Sequence, residues 1–144
     1  MLMFFNISYF LVNLKVVVFS IFYQMATDQA THHVNLDFLK EISEGNTDLM
    51  RDLINLFITQ VPTFSEQMEL YLKNQDYCTL AKFAHKIKNS VAMMGIDELT
   101  SDMKKLENIC TSKPDNNTVK TLVEKFKKIS GEASVELQHI LELL

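Results

Sequence analysis

The sequence is poor in the residues that punctuate a chain. Its 144 residues include only three glycines and two prolines, whereas folds built from many short strands need turn formers at short, regular intervals. The composition, 47% hydrophobic and 22% charged, is typical of a single globular domain. The shortage of turn formers therefore predicts an all-α domain made of a few long helices.

The chain also lacks an excess of positive charge and a set of paired cysteines. Its net charge is −4, which argues against nucleic acid as the main partner, because binding a phosphate backbone normally needs a basic face. The two cysteines, Cys78 and Cys110, form no CxxC pair and are too few for a disulfide framework. We therefore expect reduced thiols and a cytoplasmic protein.

Residues 1–24 differ from the rest of the chain because they are almost wholly apolar up to Tyr23. This length is sufficient for a membrane span, but Lys15 near its middle is unfavourable inside a bilayer. A secretory signal peptide fits poorly, because no basic residue precedes the apolar stretch and no small-residue cleavage site follows it. Two interpretations stay open: a membrane anchor of residues 1–23, or sequence upstream of a true start at Met25.

Residues 25–34 are polar, and we expect them to form a flexible segment ahead of the folded domain. His32 and His33 lie within it. Adjacent side chains point to different sides of any regular element, so a solvated tail is favoured over a metal site. The domain itself is expected to span residues 35–144.

Five helices are predicted within residues 35–144. A short one, capped by Asn35 and ended by Gly45, should lie across one end of a bundle; its apolar edge comprises Leu36, Leu39 and Ile42. Four long amphipathic helices follow. The first opens at residue 46 or 47 and ends within residues 73–75, the next two span residues 76–95 and about 97–111, and the last runs from residue 117 or 118 to the end. Pro62 should kink the first of them without dividing it. Because the connections are short, we expect an antiparallel up-down-up-down four-helix bundle. The apolar stripe predicted for the first long helix comprises Leu49, Leu53, Leu56, Phe57, Val61, Phe64, Met68, Tyr71 and Leu72.

The segment from Asp76 to Gly95 carries the most informative pattern. Asp76 is suited to cap a helix and Gly95 to end it. The apolar stripe between them comprises Leu80, Phe83, Ala84, Ile87, Val91 and Met94. At about 100° per residue, His85 falls on the opposite, solvent-facing side. Positive charge surrounds it on Lys82, Lys86 and Lys88, and several of the other neighbours are short, which is unusual for a plain solvated surface.

The run from Ala84 to Ser90, together with Gly95, resembles the signature of histidine-containing phosphotransfer (HPt) domains. In that family a histidine is followed by an apolar residue two positions on, a lysine three positions on, small residues after the lysine and a glycine ten positions on. The matching residues here are His85, Ile87, Lys88, Ser90 and Gly95. Asn89 departs from the pattern, because the family most often has glycine directly after the lysine. The resemblance extends over about residues 35–144.

The resemblance implies a phosphocarrier rather than a true enzyme, with receiver domains and hybrid sensor histidine kinases as its partners. His85 would take a phosphoryl group from a receiver aspartate and later return it to another receiver, with Lys88 neutralising its charge. The receiver would supply the Mg²⁺, so no cofactor is expected on this chain, and a monomer is sufficient. Supporting roles fall to Lys82 and Lys86 as further positive charge, to Asn89 and Ser90 as hydrogen-bond donors, and to Ala81, Ala92 and Gly95 as positions without bulk on a docking face.

Other interpretations of the same helices make different demands on the residues. A complete histidine kinase is excluded, because the chain has no glycine-rich nucleotide loop. The dimerisation helices of such kinases also carry an exposed histidine, but it is usually followed by an acidic residue rather than by Lys86. A di-metal bundle needs two Glu-x-x-His pairs, and only Glu136–His139 has that spacing. A helical adaptor without phosphotransfer activity makes no demand on His85 and stays open.

Overall fold

The computed structural model describes residues 32–144, and over that range the regular structure is entirely helical, which confirms the all-α prediction for this part of the chain. The helices are α1 (Asp37–Ile42), α2 (Thr47–Lys73), α3 (Tyr77–Met93), α4 (Asp97–Ser112) and α5 (Asn116–Leu143). None of them is long and apolar enough to cross a membrane. Residues 1–31 lie outside the described residues, so both interpretations of the apolar segment stay predictions.

Three of the long helices begin at a side chain that satisfies a free backbone amide. Asn46, Asp76 and Asp115 each accept a hydrogen bond from the backbone N–H three residues further on. The fourth, α4, follows Ile96, which has no polar group to offer, and instead carries two acidic side chains in its first turn. These negative charges interact favourably with the positive end of the helix dipole. The predicted start of α3 at Asp76 is therefore confirmed.

Helix α2 continues through Pro62 for 27 residues. Pro62 is exposed and lacks the N–H that would otherwise bond to the carbonyl of Ile58. One turn earlier, the hydroxyl of Thr59 donates to the carbonyl oxygen of Asn55 at 2.8 Å. The helix nevertheless continues unbroken on both sides of the proline, as the apolar pattern on both sides of it predicts.

The buried face of α2 is rotated from the predicted one. It comprises Met50, Ile54, Phe57, Val61, Phe64, Ser65 and Met68. Leu49 and Leu56, which the prediction placed in the core, are 41% and 53% exposed. Ile42 of α1 was likewise predicted to face the core and is 43% exposed. Two adjacent apolar stripes run along α2, and packing against the neighbouring helices buries only one of them.

The four long helices contact one another as a closed ring. Helix α3 packs most extensively on α4 and α2 on α5, while α2–α3 and α4–α5 contacts complete the circuit. The side chain of Arg51, early in α2, donates to the carbonyl oxygen of Leu141, late in α5, at 3.1 Å. Towards the other end of α2, Glu69 lies 2.7 Å from Lys127. The space enclosed is filled by apolar side chains, with Phe126 of α5 the largest that is fully buried.

The chain just before α1 is held against α5 and is not a solvated tail. The backbone N–H of His33 donates to Glu136 at 2.9 Å, and its Nε2 lies 3.1 Å from Glu132. His32 places Nδ1 3.2 Å from Glu136. Residues 32–34, predicted as the end of a flexible polar segment, therefore contact the domain. Within residues 32–144, no group of three or more histidine, cysteine or acidic side chains is arranged to hold a metal ion.

Gly95 ends α3 and makes room for the segment that leads into α1. Its φ is +63°, and the N–H groups of Gly95 and Ile96 bond to the carbonyls of Ala92 and Val91, a pattern that ends helices at a left-handed glycine. A Cβ atom added at Gly95 would overlap the carbonyl oxygen of Asn35. The predicted helix end is confirmed. The space that the missing side chain leaves is taken by this chain's own backbone, and not by a docking partner as predicted.

Replacing Gly95 by alanine should lower the free energy of unfolding by at least about 2 kcal/mol. The left-handed backbone alone costs a non-glycine residue roughly 1–2 kcal/mol, and the overlap with Asn35 adds to it. Gly131→Ala is the matched control, because the same change within α5 meets no atom within 4 Å and should stabilise the helix by about 0.5–1 kcal/mol. Urea denaturation followed by circular dichroism measures both, and shifts of the same sign would contradict this account.

Candidate functional site

His85 lies near the middle of α3, at the margin of its buried face. The buried residues of this helix are Leu80, Ala81, Ala84, Ile87 and Val91. The side chain of His85 is 59% exposed, so the prediction of an accessible histidine is confirmed. Phe83, predicted to lie in the apolar stripe, is half-buried and packs edge-to-face against Phe64 and Tyr71 of α2.

The partner of His85 comes from the neighbouring helix α4. Nδ1 of His85 lies 2.8 Å from Oε1 of Glu107, and Nζ of Lys88 lies 3.4 Å from Oε2 of the same carboxylate. Glu107 thus uses one oxygen for each basic side chain. We call these three residues the His85 cluster. His85 and Lys88, which were predicted to act together, are therefore linked by their shared contact with Glu107.

The sequence pattern around His85 does not single out Glu107. The two residues are 22 positions apart, and their contact depends on how α4 is aligned against α3. A usable signal does exist in the hairpin geometry: His85 and Glu107 lie at equal distances, eleven positions, before and after Ile96 in the connection. When a short turn reverses the chain between two helices, residues at equal distances before and after the turn lie side by side. This symmetry makes Glu107 a candidate partner for His85.

The contact determines which nitrogen of the imidazole carries hydrogen. The hydrogen bond from His85, followed by the positive charges of His85 and Lys88, holds the pKa of Glu107 below its ordinary value of 4.5, against partial burial that acts in the opposite direction. An ionised carboxylate can only accept hydrogen bonds, so Nδ1 of His85 is the donor. The lone pair of the neutral ring is then on Nε2, which makes no hydrogen bond within residues 32–144.

The other predicted basic and polar residues lie outside this cluster. Lys86 and Asn89 are exposed and Ser90 is half-buried. The charge of Lys82 acts on Asp76, where it assists two hydrogen bonds from Thr79 in lowering the pKa of the carboxyl. Of the lysines predicted to surround His85, the structure therefore brings Lys88 alone to Glu107.

One of the two alanines predicted to line a docking face is not available to a partner. Ala81 is only 3% exposed, because it lies beside Leu80 and Ala84 in the broad seam that α3 forms with its neighbours. The prediction for Ala81 is therefore wrong. Ala92 is half-buried and lies near the end of the helix. A bulky substitution at Ala81 would disturb the core rather than block docking.

The remaining candidate groups stand apart from His85. Both cysteines are free thiols, and burial raises the pKa of Cys110 to about 11, which leaves it unreactive at neutral pH. The Glu-x-x-His pair that a di-metal bundle would use is also engaged elsewhere. Glu136 contacts His32, and His139 lies 3.6 Å from Glu142. Neither the buried Cys110 nor this pair therefore provides a second chemical site.

Removing the imidazole should release Glu107. In His85→Ala, we expect the pKa of Glu107 to rise towards its ordinary value, because the hydrogen bond that contributes most to lowering it is gone. In the unmodified protein, this lowered pKa stabilises the fold above pH 4.5 or so, and that stabilisation is lost as the pH falls through the lower, folded-state value. Carboxyl ¹³C NMR titration measures the shift. Asp115 is the control, because hydrogen bonds from Thr118 lower its pKa independently of His85, and that pKa should not change. A shift in the pKa values of both carboxyl groups would indicate a general rearrangement.

Comparison with known proteins agrees with this geometry. No curated protein and no solved structure matches the chain. The family model described as Hpt domain matches residues 52–144, about two thirds of the chain. The matched region includes most of α2, all of α3 to α5 and therefore the complete His85 cluster. The chain belongs to the Hpt domain family.

Proposed function

We propose that this protein is a phosphorelay intermediate, which accepts a phosphoryl group on His85 from a receiver-domain aspartate and passes it to another receiver domain. Membership of the Hpt domain family supports histidine phosphotransfer in general. The observation that carries the proposal for His85 is its contact with Glu107, because in the neutral ring that contact puts the hydrogen on Nδ1 and the lone pair on Nε2 of an exposed side chain. Such a nitrogen is a competent nucleophile at neutral pH.

The transfer step requires little of the chain beyond nucleophile and charge. Nε2 of His85 forms a bond to phosphorus while the bond from phosphorus to the aspartyl oxygen breaks, and the electron pair leaves with the receiver carboxylate. Phosphoryl transfer depends mainly on positioning and charge neutralisation. Lys88, one turn from His85 and half-buried beside Glu107, is suited to stabilise the phosphoryl oxygens. The Mg²⁺ and acidic pocket belong to the receiver in this proposal.

The arrangement of the helices suits the presentation of one exposed histidine. We infer an antiparallel up-down-up-down bundle from the contacts of α2 with α5 at both of its ends and from three-residue connections between successive long helices. A receiver can approach the α3–α4 face without opening the core. We propose that the protein acts in the cytoplasm as a monomer, since one His85 cluster is complete within one chain.

Receiver docking is proposed to extend from His85 to α1. Phe38 and Ile42 of α1 are 53% and 43% exposed, and the backbone N–H of Asn35, just before α1, bonds to Met94 at the end of α3. Met94 lies nine residues, about 13 Å along the helix axis, from His85. A typical protein interface of about 800 Å² per partner can cover both.

Phosphoryl transfer should be abolished in His85→Gln. The full-length chain is incubated with a panel of phosphorylated receiver domains, and labelling of the chain is expected to be acid-labile and alkali-stable, as a phosphorus–nitrogen bond requires. His139→Gln is the matched control, because His139 is also exposed on a helix but has no such cluster, and it should be labelled normally. Lys88→Ala should retain labelling at a rate at least about tenfold lower.

The same experiment separates the relay from an adaptor without phosphotransfer activity. A folded chain that binds receivers but acquires no label from any of them would support the adaptor. Label that persists in His85→Gln would assign the reaction to another residue.

Truncating the exposed ring of α1 should weaken docking while leaving the chemistry intact. Phe38→Ala is expected to slow transfer from a receiver about tenfold, as loss of a central apolar contact does in other interfaces. Its reactivity towards a small phosphoryl donor, which needs no docking, should be unchanged. Val135→Ala, which truncates an apolar side chain on α5 that is 72% exposed, serves as control. Equal transfer rates for the two variants would contradict docking at α1.

A further inference from the structure

The contact between His85 and Glu107 has consequences for the phosphorylated protein. This inference rests on the proposed function, because it concerns the form in which Nε2 is bonded to phosphorus. Once that bond forms, both ring nitrogens are occupied, and the ring carries a positive charge as long as Nδ1 keeps its hydrogen. Glu107, 2.8 Å from Nδ1, is the group placed to balance this charge.

We propose that Glu107 keeps the phosphorylated ring of His85 protonated at Nδ1, and so maintains the phosphoryl group in a readily transferable form. When the phosphoryl group leaves, the electron pair of the nitrogen–phosphorus bond returns to Nε2, and the ring departs as neutral imidazole with its hydrogen still on Nδ1. No proton enters or leaves in either direction. A ring that had lost the Nδ1 hydrogen would have to depart as an anion, which is a much poorer leaving group.

Within residues 32–144, the negative charge that contacts the ring is that of Glu107. On α3 itself, the charged groups one turn away are Lys82 and Lys88, and Lys86 is adjacent; all of these disfavour a protonated ring. From α2, the rings of Phe64 and Tyr71 pack on Phe83 in this part of α3, and Tyr71 is the titratable one of the two. The neighbouring charge on α4, one turn before Glu107, is Lys104. Removing the charge of Glu107 therefore leaves the ring among positive groups.

Glu107 can be changed without placing the fold at risk. The side chains of His85 and Glu107 are 59% and 28% exposed, and such solvated pairs contribute little to stability. Glu107→Gln separates two roles, because the amide oxygen can still accept a hydrogen bond from Nδ1 while the negative charge is gone. Glu107→Ala removes both the acceptor and the charge.

The test uses the full chain phosphorylated by phosphoramidate, a small donor that needs no receiver. ³¹P NMR follows the loss of the phosphoryl group from His85 between pH 5 and pH 9, its signal being identified by its absence in His85→Gln. In Glu107→Gln, the midpoint of the pH profile should move to lower pH by about half a unit, after allowance for solvent screening. At pH 8 the phosphoryl group should then be lost roughly threefold more slowly.

The phosphorylated form of His139 in the same sample is the internal reference, and its profile should not respond to Glu107→Gln. Coincident profiles of the unmodified chain and Glu107→Gln would overturn the inference, as would a change seen only in Glu107→Ala, which would show that Glu107 merely orients the ring. Transfer from receivers is measured separately. A shifted profile in a chain that no receiver labels would support this chemistry and overturn the proposed relay.

Discussion

The burial of one face of α3 against α4 is the constraint on which the site depends. Ala81, Ala84 and Ile87 are all buried, and the 3.6-residue period of the helix then places His85 about 40° beyond Ala81, at the margin of the seam. From this margin the ring reaches solvent on one side and Glu107 on the other. One position earlier it would be buried. The packing of the core thus determines both the accessibility of the histidine and its partner.

The His85 cluster is also balanced in charge. With the imidazole neutral, Glu107 and Lys88 offset one another, and each oxygen of the carboxylate has one basic partner. In the proposed phosphorylated form, the phosphoryl group would bring a charge of roughly −1.5 to −2. Lys88 can turn towards it, because the 3.4 Å contact with Glu107 is the weaker of the two. The cluster can therefore accommodate His85 with or without a phosphoryl group through small movements of the Lys88 and Glu107 side chains.

A single glycine connects the histidine helix to the short helix α1. Gly95 ends α3 in a left-handed conformation and leaves space for the carbonyl of Asn35. Since α1 begins only two residues after Asn35, this backbone contact determines where Phe38 and Ile42 lie relative to the end of α3. The His85 face and α1, the two parts of the proposed docking surface, are therefore held together by a backbone contact that any side chain at position 95 would disrupt.

Much of the local structure followed from the sequence, because it depends on residues within one or two turns of each other. Asp76 begins α3 and Gly95 ends it, through hydrogen bonds to residues three positions away. The spacing of His85 and Lys88 places both side chains where they reach solvent. The tertiary structure decided the rest. Which apolar stripe of α2 is buried depends on the rotation of that helix about its axis, and a sequence with two adjacent stripes, one with Leu56 and one with Ile54, does not specify that rotation. The burial of Ala81 and the contact of Glu107 with His85 depend on how α3 and α4 are aligned, since a shift of one residue turns a side chain by about 100°.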